Sequence, residues 1–114
     1  MSHFDDCVKL QHKAEVYVQS TVDVDHNADN AQFVEAVART LSRLFGGASA
    51  QKVTGYWLAS NGQVVIEAPT IVYAYMATMA LENMDKLYDL AEGLKRDMRQ
   101  ESILVTVDGT AYLV

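Results

Sequence analysis

The polar residues of this sequence that could do chemistry stand in two places. Glu67 lies inside the apolar segment V-V-I-E-A-P, and a second polar run covers Arg99, Gln100, Glu101 and Ser102. A carboxylate among apolar strand residues is costly unless it is paired, so we expect Arg99 or Tyr56 to contact Glu67. The simpler interpretation is a structural network at the strand ends. The functional one is a small-molecule pocket between the sheet and the second helix, with these polar groups as its walls.

The other residues of chemical interest predict no catalytic or metal site. The ligand-type residues near the start of the chain have a spacing that matches no zinc pattern: His3, Asp5, Asp6, Cys7 and His12. Cys7 has no basic neighbour or helix start to lower its pKa, and no serine lies in a nucleophile elbow. Phosphate-binding and dinucleotide-binding glycine motifs are missing as well. We therefore expect no metal and no cofactor.

Size and charge narrow the class of protein. The chain has 114 residues, half of them hydrophobic, which predicts one globular domain. Its net charge of −6 disfavours nucleic acid and anionic membranes as partners. One cysteine, no recognisable signal peptide and no apolar run long enough to span a membrane lead us to expect a cytoplasmic protein.

The pattern of residues predicts alternating strands and helices. Residues 1–13 form an N-terminal arm, and residues 14–114 form a single α+β domain. We expect strands over 15–22 and 102–107, the latter followed by a tight turn at Asp108-Gly109. Apolar residues at helical spacing predict helices over 30–45 and 78–98. Gly46-Gly47 is typical of a helix end.

A hairpin is predicted around Asn61-Gly62, a strong signal for a two-residue type I′ turn. This turn would set Tyr56 opposite Glu67 and Trp57 opposite Ile66. Trp57 and Ile66 would then share one face of the paired strands, and Tyr56, Leu58, Val65 and Glu67 the other.

The order β-α-β-β-α-β is that of the ferredoxin-like fold, an antiparallel sheet with both helices on one face. The short strand that follows the Asp108-Gly109 turn is an addition to this order. We expect Trp57 and Ile66 beneath the helices. The bare face would carry an apolar set of residues: Tyr56, Leu58, Val65, Ile71, Tyr73 and Tyr75. Such a surface predicts a homo-oligomer through the open sheet face, or a ligand or protein partner on it. Alternatively, a bulge at Pro69 would turn the later tyrosines into the core.

Several spaced residues resemble an uncharacterised bacterial family, a domain of unknown function with a G-x-W hairpin and a C-terminal Q-E-S box. The resemblance spans Glu15 to Val105, on Gly47, Gly55, Trp57, Gly62, Glu67, Pro69, Gln100, Glu101 and Ser102. The chain departs from the family by lacking an exported leader and by adding the Asp108-Gly109 hairpin. The resemblance implies a ferredoxin-like fold rather than an activity.

Function is predicted from these features as a choice among three classes. The first is a non-enzymatic acidic binding module, a homo-oligomer that sequesters a small ligand or inhibits a partner protein, as compact phage or mobile-element proteins do. The second is a small ferredoxin-like enzyme with Glu67 or Glu101 as acid or base. The third is a structural oligomer subunit. The predicted binding residues are Tyr56, Leu58, Val65, Glu67, Tyr73, Tyr75, Arg99, Gln100, Glu101 and Ser102.

Overall fold

The computed structural model describes residues 2–22, 26–27 and 29–114 as a mixed α+β fold. Within these residues, a short 3₁₀ helix, His3–Asp6, precedes nine strands and two α-helices. In chain order these are β1 (His12–Val18), β2 (Thr21–Val22), β3 (His26–Asn27), α1 (Ala31–Phe45), β4 (Ser49–Lys52), β5 (Gly55–Leu58), β6 (Val64–Glu67), β7 (Thr70–Met76), α2 (Leu81–Met98), β8 (Leu104–Val107) and β9 (Thr110–Leu113).

The main sheet has five strands in the order β4-β7-β1-β8-β9, and every neighbouring pair is antiparallel. β1 is its central strand. Val16 of β1 lies between Val72 of β7 and Val105 of β8, and all three side chains are buried. Because side chains alternate along a strand, this row fixes which face of the sheet belongs to the core.

Both helices pack on the face that carries Val16. Leu41 of α1 and Leu87 and Met98 of α2 belong to one core cluster with the buried residues of β1, β7 and β8, and each is at most 2% exposed. Burying a side chain of this size contributes about 1.5–3 kcal/mol. The prediction that one sheet face takes both helices is confirmed, and among the described elements neither helix covers the opposite face of β1, β7 and β8.

The predicted helices are present with small differences at their starts. α1 begins after Asp29, whose carboxylate accepts a hydrogen bond from the Ala31 amide at 3.0 Å. It ends at Phe45 as predicted, and the next residue, Gly46, has a φ of +94°, the left-handed conformation that glycine adopts without a steric penalty. α2 begins at Leu81, three residues later than predicted, and ends at Met98 as predicted.

The predicted hairpin forms, but it does not belong to the main sheet. β5 and β6 pair only with each other as a separate two-stranded sheet, which we call the ribbon. Its register also differs from the prediction by one residue: Tyr56 pairs with Ile66, and Glu67 pairs with Gly55. Trp57 and Ile66 therefore lie on opposite faces of the ribbon, and neither is beneath the helices.

The loop of the ribbon explains the change of register. The Ala59 amide bonds the Gln63 carbonyl at 2.8 Å, and the Gly62 amide bonds the Ala59 carbonyl at 3.0 Å. Ser60, Asn61 and Gly62 thus form a three-residue loop, in which only Gly62 has positive φ (+85°). A two-residue type I′ turn would need positive φ at Asn61 too. Instead, the Asn61 side chain accepts a hydrogen bond from the Gln63 amide at 2.9 Å.

The N-terminal segment is shorter than the predicted arm of residues 1–13. His12 and Lys13 are the first residues of β1, and the His12 ring nitrogen Nδ1 lies 2.7 Å from a carboxylate oxygen of Asp108 in the β8–β9 turn. Within the described residues, no helix is both long and apolar enough to cross a membrane. The same part of the chain holds no cluster of three or more His, Cys, Asp or Glu side chains arranged for a metal ion.

Candidate functional site

An open groove of about 710 Å³ lies at one end of the sheet face that the helices leave uncovered. Its floor is a row of side chains across four strands: Ile71 of β7, Tyr17 of β1, Leu104 of β8 and Leu113 of β9. Tyr17 is paired with Ile71, and Leu104 with Leu113. The floor is therefore apolar apart from the Tyr17 hydroxyl.

One wall of the groove is the base of the ribbon. Gly55, Trp57 and Glu67 line it, and Pro69 closes its lower end. The Val53 amide donates to the Pro69 carbonyl at 3.0 Å, so the ladder of the ribbon continues past its assigned strands. The Ala68 amide donates to the Ser20 hydroxyl at 3.2 Å. These bonds fix the base of the wall against the end of β1.

The other wall is the segment between α2 and β8, which contributes Gln100, Glu101 and Ser102. Arg99, with φ of +53°, turns the chain out of α2. The Gln100 side-chain amide donates to the Thr21 carbonyl at 2.8 Å, and its backbone amide donates to the Lys95 carbonyl at 2.9 Å. Gln100 therefore anchors this wall at both its backbone and its side chain.

The electrostatics of the groove favour a positively charged ligand. Among the described residues that line it, the charged side chains are Glu67 and Glu101, and both are acidic. Tyr17 and Trp57 add two aromatic rings, while Tyr56 contributes to the lining from a strand position whose side chain projects to the outer face of the ribbon. A cation is attracted to carboxylates and to the faces of aromatic rings, and a planar heterocycle stacks on such rings. The groove thus suits a cation that carries an aromatic group.

The structure brings half of the predicted binding residues together in this groove: Tyr56, Glu67, Gln100, Glu101 and Ser102. It does so on the sheet face opposite the helices, so the predicted position of the pocket, between the sheet and the second helix, is wrong. Glu67 also lies opposite Gly55, where the sequence predicted Tyr56.

The remaining predicted residues do not line the groove. Leu58 is on the outer face of the ribbon and is 70% exposed. Val65 pairs with Trp57 on the other ribbon face but is not part of the groove. Arg99 turns the chain at the end of α2 without contributing to the lining. The predicted faces of the hairpin are therefore wrong, because a one-residue change of register moves every side chain of one strand to the other side.

Tyr73 and Tyr75 lie on the uncovered face, as predicted, but at the other end of β7. The Lys13 ammonium is 4.7 Å from the Tyr73 ring centroid and 5.3 Å from that of Tyr75. It also lies 3.4 Å from Oε2 of Glu15, and the other carboxylate oxygen, Oε1, accepts a 2.6 Å hydrogen bond from the Thr106 hydroxyl. The alternative in which these tyrosines belong to the core is wrong, since Tyr75 is 48% exposed.

Sequence reasoning missed Tyr17, Trp57 and Gly55 as groove residues. One signal for Tyr17 was available, because it alternates with the buried Val16 and Val18 and must therefore face away from the helices. Trp57 was assigned to the wrong face through the turn. Nothing local marks Gly55, whose position in the wall depends on the register of the ribbon.

Comparison with known proteins finds similarity at the level of structure. No protein-family model matches the chain, and no curated protein sequence matches it. Solved structures do match it, among them a phage SAM lyase in complex with S-methyl-5′-thioadenosine, with a TM-score of 0.70 and 19% identity, and a phage SAM lyase in the apo state, with a TM-score of 0.68 and 21% identity. Each similarity covers 90% of this chain, and 88% and 87% of the respective structures. At these identities, the comparison shows the fold.

The comparison corrects the first functional expectation. Both solved structures are of an enzyme, which conflicts with a non-enzymatic module that sequesters a ligand or inhibits a partner. The alternative of a small enzyme fits the comparison better, while the predicted acid or base role of Glu67 or Glu101 stays a prediction.

Proposed function

We propose that this protein is a lyase that cleaves S-adenosylmethionine (SAM) in the groove and releases S-methyl-5′-thioadenosine. The observation that carries the proposal is the lining of the groove, in which Glu67 and Glu101 are the charged described residues and the rings of Tyr17 and Trp57 accompany them. The fold shared with the phage SAM lyase structures supports the same substrate class.

The chemistry of SAM matches this lining. Its sulfonium and its ammonium group are both positive, and its adenine is a planar aromatic ring. The acidic residues Glu67 and Glu101 favour the two positive groups, and the ring of Tyr17 or Trp57 favours the adenine or the sulfonium. A groove of about 710 Å³ is within the size range of small-molecule sites.

The proposed reaction breaks the bond between the sulfonium sulfur and the aminobutyrate carbon chain. The bonding electron pair moves to sulfur, which becomes the neutral thioether of S-methyl-5′-thioadenosine. An oxygen of the substrate's own carboxylate forms a new bond to the carbon that loses sulfur, and this bond closes a lactone ring. Atoms and charges balance without water or a protein base. We therefore propose that Glu67 holds the cationic substrate rather than abstracting a proton.

Incubating the purified protein with SAM tests this proposal. Liquid chromatography with mass spectrometry should show S-methyl-5′-thioadenosine appearing in proportion to enzyme and time, above the spontaneous breakdown of SAM. Glu67→Gln should slow its release, whereas Glu82→Gln, the same change at an exposed position of α2, should not. Release that is no faster than with heat-denatured protein would rule out the activity.

We also infer a ferredoxin-like topology for the main sheet. In chain order, the four strands of the β-α-β-β-α-β unit are β1, β4, β7 and β8. Across the sheet they follow one another as β8-β1-β7-β4, which is the order fourth, first, third, second. The antiparallel pairing and the position of both helices on one face support this assignment. The β2–β3 pair, the ribbon and β9 are then additions to the unit.

Homo-oligomerisation is a further part of the proposal, through the outer face of the ribbon as well as the open sheet face. Tyr56, Leu58, Val64 and Ile66 lie together on that outer face and are 62–70% exposed. A two-stranded ribbon of this kind is marginally stable alone, and an exposed apolar set of this size is typical of an interaction surface. The partner we propose is a second copy of this chain.

Light scattering coupled to size-exclusion chromatography measures the oligomeric state. We expect an oligomer for the wild type and a shift toward monomer for Leu58→Lys. Leu81→Lys is the matched control, because Leu81 is equally apolar and 85% exposed but lies at the start of α2. A monomeric wild-type protein at micromolar concentration would contradict the proposed association.

A further inference from the structure

Gly55 stands directly opposite Glu67 in the ribbon. The Val53–Pro69 and Ala59–Gln63 hydrogen bonds lie in the same register. Because hydrogen-bonded pairs alternate along an antiparallel ladder, Gly55 and Glu67 form such a pair, with their Cα atoms about 5.5 Å apart. Both residues line the groove. A side chain at position 55 would therefore project into the groove beside the Glu67 carboxylate.

The backbone does not require glycine at this position. Gly55 is not among the residues with positive φ. A Cβ atom at Gly55 would meet Pro69 Cγ and Cδ at 3.5 Å and the Glu67 carbonyl oxygen at 4.0 Å, which are ordinary van der Waals contacts. The strand would also tolerate a larger residue, since β-branched residues favour extended conformations. Glycine therefore leaves unfilled only the groove volume beyond this Cβ position, on the face of the pair that also carries the Glu67 side chain.

We propose that Gly55 determines the size of the cationic group that reaches Glu67. This inference rests on the proposed function, in which the substrate is a sulfonium or ammonium compound bearing a nucleoside. With glycine at position 55, a bulky cation contacts the carboxylate. A valine in the same place fills the space from the opposite strand and admits small cations only. Gly55 is thus a specificity-determining residue that acts by leaving room, without a bond to the substrate.

Steady-state kinetics with SAM provide the first test. One extra or missing methylene group in a binding site changes specificity by roughly tenfold, so Gly55→Val should lower kcat/KM by about tenfold or more and Gly55→Ala by a smaller factor. Gly47→Val is the matched control, because a Cβ atom there has nothing within 4 Å and Gly47 lies outside the groove. Its kcat/KM should equal that of the wild type. Equal kcat/KM for Gly55→Val and the wild type would overturn the inference.

Chemical labelling of Glu67 provides a test that does not depend on turnover. Carbodiimide activation couples amines to accessible carboxylates, and peptide mass spectrometry measures the extent at Glu67. We compare methylamine with a bulky amine, tryptamine. Gly55→Val should lower the ratio of tryptamine to methylamine coupling several-fold relative to the wild type, and Gly47→Val should leave it unchanged. An unchanged ratio in Gly55→Val would contradict the inference even if SAM were cleaved.

The two proposals can fail separately. If the wild-type protein does not cleave SAM, the proposed function falls, while the labelling ratio still decides whether Gly55 controls access to Glu67. If the wild type cleaves SAM and neither kinetics nor labelling responds to Gly55→Val, the inference alone falls. Circular dichroism and urea unfolding establish that each variant is folded. Should Gly55→Val not fold, Gly55→Ala takes its place in both measurements, with smaller expected changes of the same sign.

Discussion

Tyr17 of β1 and Ile71 of β7 are paired across adjacent strands on the sheet face opposite the helices, and together they form the centre of the groove floor. Tyr17 is the aromatic residue of this floor, whereas Tyr56 and Trp57 belong to the ribbon. Tyr17 belongs to β1, the central strand of the main sheet, so the core on the other side of that strand fixes its position. This arrangement makes Tyr17 the rigid aromatic surface of the site.

Replacing Tyr17 by leucine should weaken substrate binding with little effect on folding. A cation–π or stacking contact contributes about 0.5–2 kcal/mol, so KM for SAM should rise about twofold to thirtyfold. Tyr17→Phe retains the ring and should stay close to the wild-type KM. Steady-state kinetics of both variants check this. An equal rise in KM for both would show that the hydroxyl group, and not the ring, matters.

Replacing Glu67 by glutamine should affect binding more than the chemical step. The variant keeps the shape of the side chain and loses its negative charge, so attraction to the cationic substrate weakens. We expect KM for SAM to rise about tenfold, equivalent to about 1.4 kcal/mol, with kcat changing less. Glu101→Gln offers a comparison at the other charged residue of the lining. A collapse of kcat at unchanged KM would instead identify Glu67 as an acid or base.

Local sequence patterns predicted the elements of the fold well where short-range chemistry decides the conformation. The buried α2 residues Leu87, Ala91, Leu94 and Met98 follow the helical spacing seen in the sequence. The Asp108-Gly109 turn also forms as predicted, with positive φ at both residues and Val107 paired with Thr110. In both examples, residues that are close together in the sequence determine the backbone conformation.

The ribbon shows where local patterns were insufficient. Asn61-Gly62 is compatible with a two-residue turn and also with a three-residue loop in which only Gly62 is left-handed. The sequence contains both options, and the choice between them exchanges the faces of one strand. The departure of the ribbon from the main sheet depends on β4 pairing with β7, a contact between distant parts of the chain. No short segment encodes it.

Only part of the candidate site could be predicted from the sequence, because the site also depends on contacts between distant parts of the chain. Glu67 and the run Gln100–Ser102 attract attention as polar residues among apolar neighbours, and the structure places them in one groove. Their apposition to Tyr17 and Leu113 requires the strand order of the main sheet. Residue type therefore indicated the walls, whereas the floor followed only from tertiary structure.

Trp57 and Leu41 should differ strongly in their effect on stability. Trp57 is 41% exposed on the ribbon, so Trp57→Ala should lower the free energy of unfolding by less than about 2 kcal/mol. Leu41 is fully buried between α1 and the sheet, and Leu41→Ala should cost about 2–5 kcal/mol. Urea unfolding monitored by circular dichroism measures both values. A larger loss for Trp57→Ala than for Leu41→Ala would mean that the ribbon packs against a core.

Asp108 should make stability depend on pH in the acid range. The His12 ring donates a hydrogen bond to its carboxylate, and the Lys13 backbone amide donates a second one; together they lower the pKa of Asp108 below its usual value. A carboxylate whose pKa is lower in the folded state stabilises that state above its unfolded pKa. The contribution disappears as pH falls through the folded pKa.

Asp108→Asn isolates this effect, because asparagine also accepts the left-handed conformation and Asn-Gly still forms the turn. The wild type should unfold at a higher temperature than the variant near pH 6, where Asp108 is charged. The difference should shrink steadily once pH falls below the model-peptide value of about 4 and vanish in strong acid, when both side chains are neutral. Thermal unfolding by circular dichroism across this pH range measures the difference between the two melting temperatures. A difference that stays constant down to the lowest pH would show that the carboxylate charge contributes nothing to holding β1 against the β8–β9 turn.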